Sequence, residues 1–314
     1  MKTDLFYQII EEICAELGVS LHMSKEGRIV TLSWAGQEKI IWGRKFEINS
    51  IIAGRIVDSK ASTFDTLRSK HIPSVEHKHY ECILRRGKYF LASSSIKEID
   101  TDLKLFHCLV VKPDNGYEGR DVYKIYSIEE LQSAIDSFIK PYRYICTSPF
   151  YSSNAEYRTV CLNGQAMYTY QKILPHVIGD GKKTMAELID KKYEDTLFAS
   201  DIPSELLGSI PFENQRVTAG WRYNLSQGST CIPLSNRELT AKIEKLAILA
   251  SQAVHINFST VDIIETDSKG LLVLEINSGV VLNKFIDNGP ANYDIAKSIY
   301  RAAICSMFDG MSPE

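Results

Sequence analysis

The stretch LLVLEINSG, Leu271 to Gly279, decides how the rest of the chain is read. Five of its first six residues are apolar, so it reads as a buried strand. Yet it carries a carboxylate at Glu275 and a carboxamide at Asn277 just before breaking at Gly279. Buried polar groups cost free energy unless something pairs with them. The preceding STVDIIETDSK completes a hairpin, with Asp267 to Gly270 as turn residues. A four-residue loop sets Thr266 against Leu271, Ile264 against Val273 and Asp262 against Glu275. Asn277 joins that face, because side chains two apart on a strand point the same way. Like charges directly opposite destabilise a sheet, here by roughly 3 kcal/mol at ~5 Å and an effective dielectric of ~20. A divalent cation reverses that sign, and an oxygen-only donor set fits a hard ion, Mg²⁺ or Mn²⁺, which normally brings substrate phosphates with it. On this reading Asp262→Asn or Glu275→Gln relieves repulsion, and neither variant should melt below the parent. The plainer alternatives are a solvated face, or a register slip of one residue that would put the acids on opposite faces.

The metal reading needs a phosphate site elsewhere, and LVVKPDNGYEG, Leu109 to Gly119, supplies a candidate. Lys112 ends an apolar strand and can act as a point charge on a phosphate. Pro113 stops the strand. Gly116 and Gly119 then let backbone N–H groups approach phosphate oxygens. GxxxxGK[ST] and GxGxxG after a strand are both absent, which argues against a Walker A loop and a Rossmann site. Taken by itself, the fragment also fits an ordinary strand-end lysine with a polar turn.

The whole chain sets bounds. Its 314 residues, 44% hydrophobic and 24% charged, are globular values and suggest two domains or three small ones. Net charge is −3 with scattered Lys and Arg, which argues against nucleic acid as a partner. The opening helix has acids inside it and no signal-peptide core, and no apolar run approaches ~18 residues, so no membrane span is expected. Seven spread cysteines without a CxxC pair favour reduced thiols in a cytoplasm. His77 and His79 could suggest a metal, but with no cysteine or HExxH nearby they read as surface residues, and Trp221 reads as core. Residues 4–17 read as a helix ended by Gly18, followed by three short strands to Trp42, then helices over 47–57 and 61–70 and a boundary near Pro73. YRYICTSPF, 142–150, reads as an extended connector. Ser127 with Glu130 and Thr184 with Glu187 have capping-box spacing, with Pro141 closing the first of those helices, and Asn163-Gly164 turns a strand pair. Long helices are expected over 236–255 and about 291–308. The mixture is α+β in several lobes.

VVKPDNGYEG, EYRTV, VDII and VLEINSG occur in one order along the chain. In this the sequence from about Asp58 to Ile286 resembles the ATP-grasp superfamily of carboxylate–amine ligases. HVIGDGKKTMAELI is most similar to the ATP-grasp modules of cyanophycin synthetase and bifunctional glutathione synthetase. The resemblance implies an ATP-grasp fold with a small N-terminal α/β lobe (1–76), a central lid lobe (77–147) and a C-terminal lobe (148–314), with ATP between the last two. It implies ATP and Mg²⁺ (or Mn²⁺) as cofactors, small-molecule amino acid or peptide substrates, and a homodimer. By position it implies that Lys60 and Lys112 contact ATP, that Gly116 to Gly119 cover its phosphates and that Glu156 binds ribose. Arg158 falls near the transferred phosphate, Arg222 and Asn224 face an acyl phosphate, and Asp262, Glu275 and Asn277 hold the metal. The implied reaction joins a carboxylate to an amine through an acyl phosphate, releasing ADP and phosphate. Departures from the family pattern are the lack of a hinge acid in CTSPFYSSN, Ser59 in place of an aspartate, Lys172 in an arginine position, and NSGVVLNKF without the usual proline and glycine. The hinge and loop departures motivate a rival reading, a nucleotide sensor that does not ligate, and a third reading is a phosphotransferase to a non-carboxylate acceptor.

Overall fold

The computed structural model describes residues 4–85, 88–116, 119–139, 142–194 and 202–312. The N-terminal helix Leu5–Leu17 starts where the Asp4 carboxylate accepts the Phe6 amide and ends where Gly18 turns left-handed at φ 65°. Its buried stripe of Phe6, Ile9, Ile10 and Ile13 has the three-and-four spacing of one helix face. An antiparallel meander follows: Ser20–Met23, Ile29–Trp34, Gln37–Trp42 and Lys45–Phe46. Val30, Leu32 and Ile41 enter a core shared with the last helix, Ala291–Cys305, and with Val160, Leu162 and Phe258. The two ends of the chain therefore build one core. The next helix, Ile51–Asp58, begins four residues later than the expected 47, because Lys45–Phe46 extends the meander and Ser50 is its cap. Lys60–Ser69 follows, capped by Ser59.

A second antiparallel sheet has the order Lys88–Leu91, Lys78–Arg85, Tyr144–Pro149, Leu109–Pro113, Tyr123–Ile125. Residues 144–149, expected as a connector, are its central strand, paired on both sides. A strand buried on both faces shows no alternation, so its period-2 signal is missing. The helix Ser93–Phe106 was not expected, and its N-cap Ala92 offers no side-chain cap that would mark a start. At Ser127 only half the capping box forms: the hydroxyl accepts from the Glu130 amide, but the Glu130 carboxylate turns to the Tyr126 amide. That helix ends at Asp136, before Pro141, which lies outside the described residues. The Thr184–Glu187 box is complete.

The third antiparallel sheet has the order Thr230–Pro233, Gln165–Ile173, Ser153–Leu162, Phe258–Thr266, Gly270–Asn277. Asn163 and Gly164, both at positive φ, make the expected turn. Tyr157, Cys161, Val261 and Ile263 bury one face against the helix Arg237–Ala253. The other face is divided. Val160, Leu162 and Phe258 join the core of the N-terminal meander, while Glu156, Arg158, Asp262 and Glu275 face a cavity.

The hairpin differs from its expected register. Thr266 pairs with Gly270 and Ile263 with Val273, one residue off. That register alone would set Asp262 against Leu274. A β-bulge between Asp262 and Ile263 absorbs one residue and brings Asp262 opposite Glu275 after all. Among the described residues no helix is long and apolar enough to cross a membrane, and all seven cysteines are free.

Candidate active site

A cavity of about 820 Å³ lies between the polar end of the third sheet, the strand-end Lys112 with its following loop, and the loop 221–226. Every residue assigned a site role from sequence lines it. Its floor is a row of side chains across three strands, with Arg158, Asp262 and Glu275 directly opposite one another in turn, and the row continues to Tyr170, which is buried in the core behind it. Arg158 grips Asp262 bidentately, Nε to Oδ1 at 2.7 Å and Nη2 to Oδ2 at 2.6 Å. Lys172 stands opposite Glu156, with Nζ 2.5 Å from Glu156 Oε1 and 3.1 Å from Asp262 Oδ2. Burial pushes the Glu156 carboxyl up to about 7, against the pull of Lys172 and with the nearby Asp262 charge adding to the rise. Burial also works against a charge on Asp262, but Arg158 and Lys172 outweigh it and hold that carboxyl at about 2.

This corrects one expectation. The repulsion between Asp262 and Glu275 does not require a dication, because Arg158 flanks Asp262 from the opposite strand. Asp262 is therefore not a spare ligand. Glu275 and Asn277 differ: both are half-buried, and among the described residues neither side chain has a hydrogen bond or ion pair. Among the described residues no three or more acid, His or Cys side chains are grouped so that they could hold a metal ion. The donor set is two carboxylates and an amide. These oxygens fit a hard cation, with Asp262 joining only by exchange of a partner.

On the side expected to take phosphates, Lys112 is buried, and among the described residues its ammonium has no hydrogen bond or ion pair. Burial, with the charge of Lys60, holds its pKa below the usual lysine range. Lys60 Nζ donates to the carbonyls of Gly116, at 2.9 Å, and Asp114, at 3.3 Å, so it shapes the loop from beneath. Asp114 draws the parts together, accepting from Ser59 Oγ at 2.7 Å and the Ala61 amide at 3.2 Å, with His79 Nδ1 3.2 Å away. This accounts for Ser59, since an aspartate there would face the Asp114 carboxylate. Gly119 sits at φ 67°, and a Cβ there would lie 2.5 Å from Asn224 Nδ2. Residues 117 and 118 of the expected phosphate loop lie outside the described residues.

The loop from Trp221 clasps this segment. Arg222 Nη2 donates to the Val122 carbonyl at 2.6 Å, Gln227 Nε2 to that of Gly119 at 3.2 Å, and Asn224 Oδ1 caps the Ser226 amide. Trp221, expected in the core, is half-buried on the cavity wall, edge-on to Phe150 at 5.6 Å. Ser148, Pro149, Phe150 and Tyr151 of the hinge line the cavity along with Val75, Val110, Ile264 and Leu274. That is a slot of apolar side chains with no acid from the hinge.

The computed structure aligns over 98% of this chain with 97% of ATP-grasp ligase PsnB, solved with a phosphomimetic variant of its minimal precursor, Mg and ADP (TM-score 0.54, 11% identity). Residues 206–302 match the RimK-like ATP-grasp domain. The chain has the ATP-grasp fold. It is similar to cyanophycin synthetase of Trichormus variabilis, 31% identical over 88 residues that make up 28% of this chain and 10% of that protein. It is also similar to the glutathione biosynthesis bifunctional protein GshAB of Clostridium perfringens, 23% identical over 269 residues, 76% of this chain and 33% of that protein. The chain thus spans a tenth to a third of these curated relatives.

Within this site, sequence reasoning noted Lys172 only as a departure and missed Asp114. The signal for Lys172 lay in its register: with the turn at Asn163-Gly164 and the bulge between Val160 and Cys161, it falls opposite Glu156. Asp114 follows Lys112-Pro113, but its partners lie 35 to 55 residues away, out of reach of local pattern.

Proposed function

We propose that the protein is an ATP-dependent carboxylate–amine ligase. Its three lobes would be 1–76, 77–147 and 148–314, with ATP between the last two. One observation carries the reading. Residues from segments as distant as Lys60, Lys112, Asn224 and Asn277 line one cavity, which offers a buried ammonium at one place and oxygen donors at another, both without a hydrogen bond or ion pair among the described residues.

The reaction has two steps. A substrate carboxylate oxygen attacks the γ-phosphorus of ATP, and ADP leaves as the acyl phosphate forms. An amine nitrogen then attacks the acyl carbon, loses a proton and expels phosphate. Glu275, Asn277 and, after exchange, Asp262 would hold Mg²⁺, which when bound neutralises phosphate charge. Lys112 supplies a preformed, desolvated positive charge for phosphate oxygens. Lys60 holds the loop carbonyls so that backbone N–H groups can turn toward the nucleotide. Arg158, if released from Asp262, can meet the transferred phosphoryl group. Catalysis of this kind is positioning and electrostatics, with no protein nucleophile needed. The clasp of Arg222 and Gln227 on the segment from Gly119 to Val122 keeps water from the acyl phosphate that Arg222 and Asn224 would face. Seven free cysteines support a reducing, cytoplasmic setting.

A specific observation favours the sensor reading as the second choice: Asp262 is already neutralised by Arg158 and Lys172. The test is ADP release with a panel of amino acids and short peptides, with products read by mass spectrometry. Acceptor-dependent ADP together with an amide supports the ligase. ATP binding without acceptor-dependent ADP supports the sensor, and a phosphorylated product without an amide supports the phosphotransferase.

A further inference from the structure

The walls of the cavity are unequal in charge. Among the described residues lining it, nine are Lys or Arg and four are Asp or Glu, in a chain whose net charge is −3. The floor uses two of these cations against two of the acids, Arg158 and Lys172 against Asp262 and Glu156. Lys60 and Lys112 belong to the loop and strand end read as the phosphate site. Three other cations come from a different wall. Lys45 and Arg55 stand on the N-terminal strand Lys45–Phe46 and helix Ile51–Asp58, and Lys284 lies on the segment that follows Asn277. These elements meet, since Gly279 approaches the Arg44 Cβ.

In the ligase reading the phosphate loop and the apolar slot account for the nucleotide, which leaves this wall past Asn277 and the loop 221–226 to meet a second substrate. Its one acid, Asp58, is engaged by Lys45 at 3.2 Å. Arg55 has no hydrogen bond or ion pair among the described residues, and Lys284 reaches only an exposed Asp287 at 3.5 Å. With three cations against one lining acid, this wall carries excess positive charge, which attracts anions and repels cationic groups.

We propose that the acid activated by this protein carries a second anionic group, a carboxylate or a phosphate, held by Arg55 and Lys284. This rests on the ligase reading and narrows it. Neutral amino acids and those with cationic side chains would be poor substrates. An acidic amino acid, an acidic peptide or a phosphorylated amino acid fits the charge, and a guanidinium can take either anion bidentately.

The test uses isosteric pairs as probes: glutamate against glutamine, aspartate against asparagine, and O-phosphoserine against serine. Binding to the full chain is measured by calorimetry in the presence of Mg²⁺ and a non-hydrolysable ATP analogue, and ADP release is measured in parallel with ATP. The expected result is at least tenfold tighter binding of the anionic member of a pair, lost in Arg55→Gln/Lys284→Gln while affinity for the ATP analogue is kept. The glutamate and phosphoserine arms tell carboxylate from phosphate. Equal binding within every pair, no saturable binding of any anionic probe, or a preference that survives the double variant overturns the proposal. A charge preference in binding, lost in the double variant, with no ADP release from any probe would leave the anion subsite at Arg55 and Lys284 standing and count against the ligase reading instead. ADP release with neutral probes as fast as with anionic ones would do the reverse.

Discussion

Arg158 and Asp262 face each other on adjacent antiparallel strands and share two hydrogen bonds of 2.7 and 2.6 Å, while Glu275 faces Asp262 from the other side. Asp262 is thus the middle member of a positive–negative–negative row. A hairpin read alone contains only its last two members, and the missing cation reverses the expected energetics of the site.

The two carboxylates should therefore respond differently to neutralisation. Asp262→Asn strands Arg158 and leaves Lys172 with Glu156 alone, both buried. Breaking a buried ion pair by removing one partner costs about 3–5 kcal/mol. The variant should melt clearly below the parent, contrary to the expectation from the hairpin. Glu275→Gln removes an unpartnered charge beside another carboxylate and should melt no lower. Thermal denaturation without nucleotide or metal checks both, and equal melting of the two variants would remove the Arg158 pair from the account.

Acid titration follows from the same row. The Asp262 carboxyl is held at about 2, below its ordinary 3.8, so its charged form is favoured by folding. That contribution is fully present above the unfolded value and is lost as pH falls from about 4 through about 2. The stability gap between the parent and Asp262→Asn should narrow over that interval in urea titrations. A gap that is constant from pH 5 to pH 2 would contradict it.

The outline of the fold was legible because its signals are local. Asp4 and Gly18 bound the first helix, Asn163-Gly164 turns the longest hairpin, and Thr184-Glu187 starts a helix. The helix 93–106 and the strand 144–149 escaped, one for want of a cap and the other for want of alternation. At the site, residue types and approximate positions were legible but pairings were not. The loop of the 258–277 hairpin is one residue shorter than expected, and a bulge that sequence does not announce cancels the error at Asp262. The Arg158 and Lys172 contacts depend on strands more than a hundred residues apart in sequence, or on a bulge at Val160/Cys161, and neither follows from spacing.

Gly119 offers a test of the clasp. At φ 67° any L side chain costs about 1–2 kcal/mol, and an added Cβ would also displace the Asn224 amide. Gly119→Ala should therefore loosen the contact between the loop from Trp221 and the segment 119–122. Turnover should fall with a smaller change in global melting, and proteolysis near residue 120 should accelerate. An unchanged cleavage rate would show that the clasp does not depend on this position.

Lys112 gives the sharpest separation of stability from binding. Its ammonium is buried among few compensating charges, and its pKa is lowered chiefly by that burial. An unfavourable buried charge is kept where a ligand supplies its counterion. Lys112→Met keeps much of the volume and removes the desolvation cost, so the nucleotide-free protein should be as stable as the parent or more so. ATP loses a charge-assisted contact worth about 1.5–3 kcal/mol, which is roughly a 10- to 100-fold rise in Kd. Calorimetry with ATP and Mg²⁺, paired with denaturation of the free protein, reads both quantities. If affinity is unchanged, Lys112 does not touch the phosphates. If affinity falls only because the fold has weakened, the lysine is structural and its burial needs another explanation.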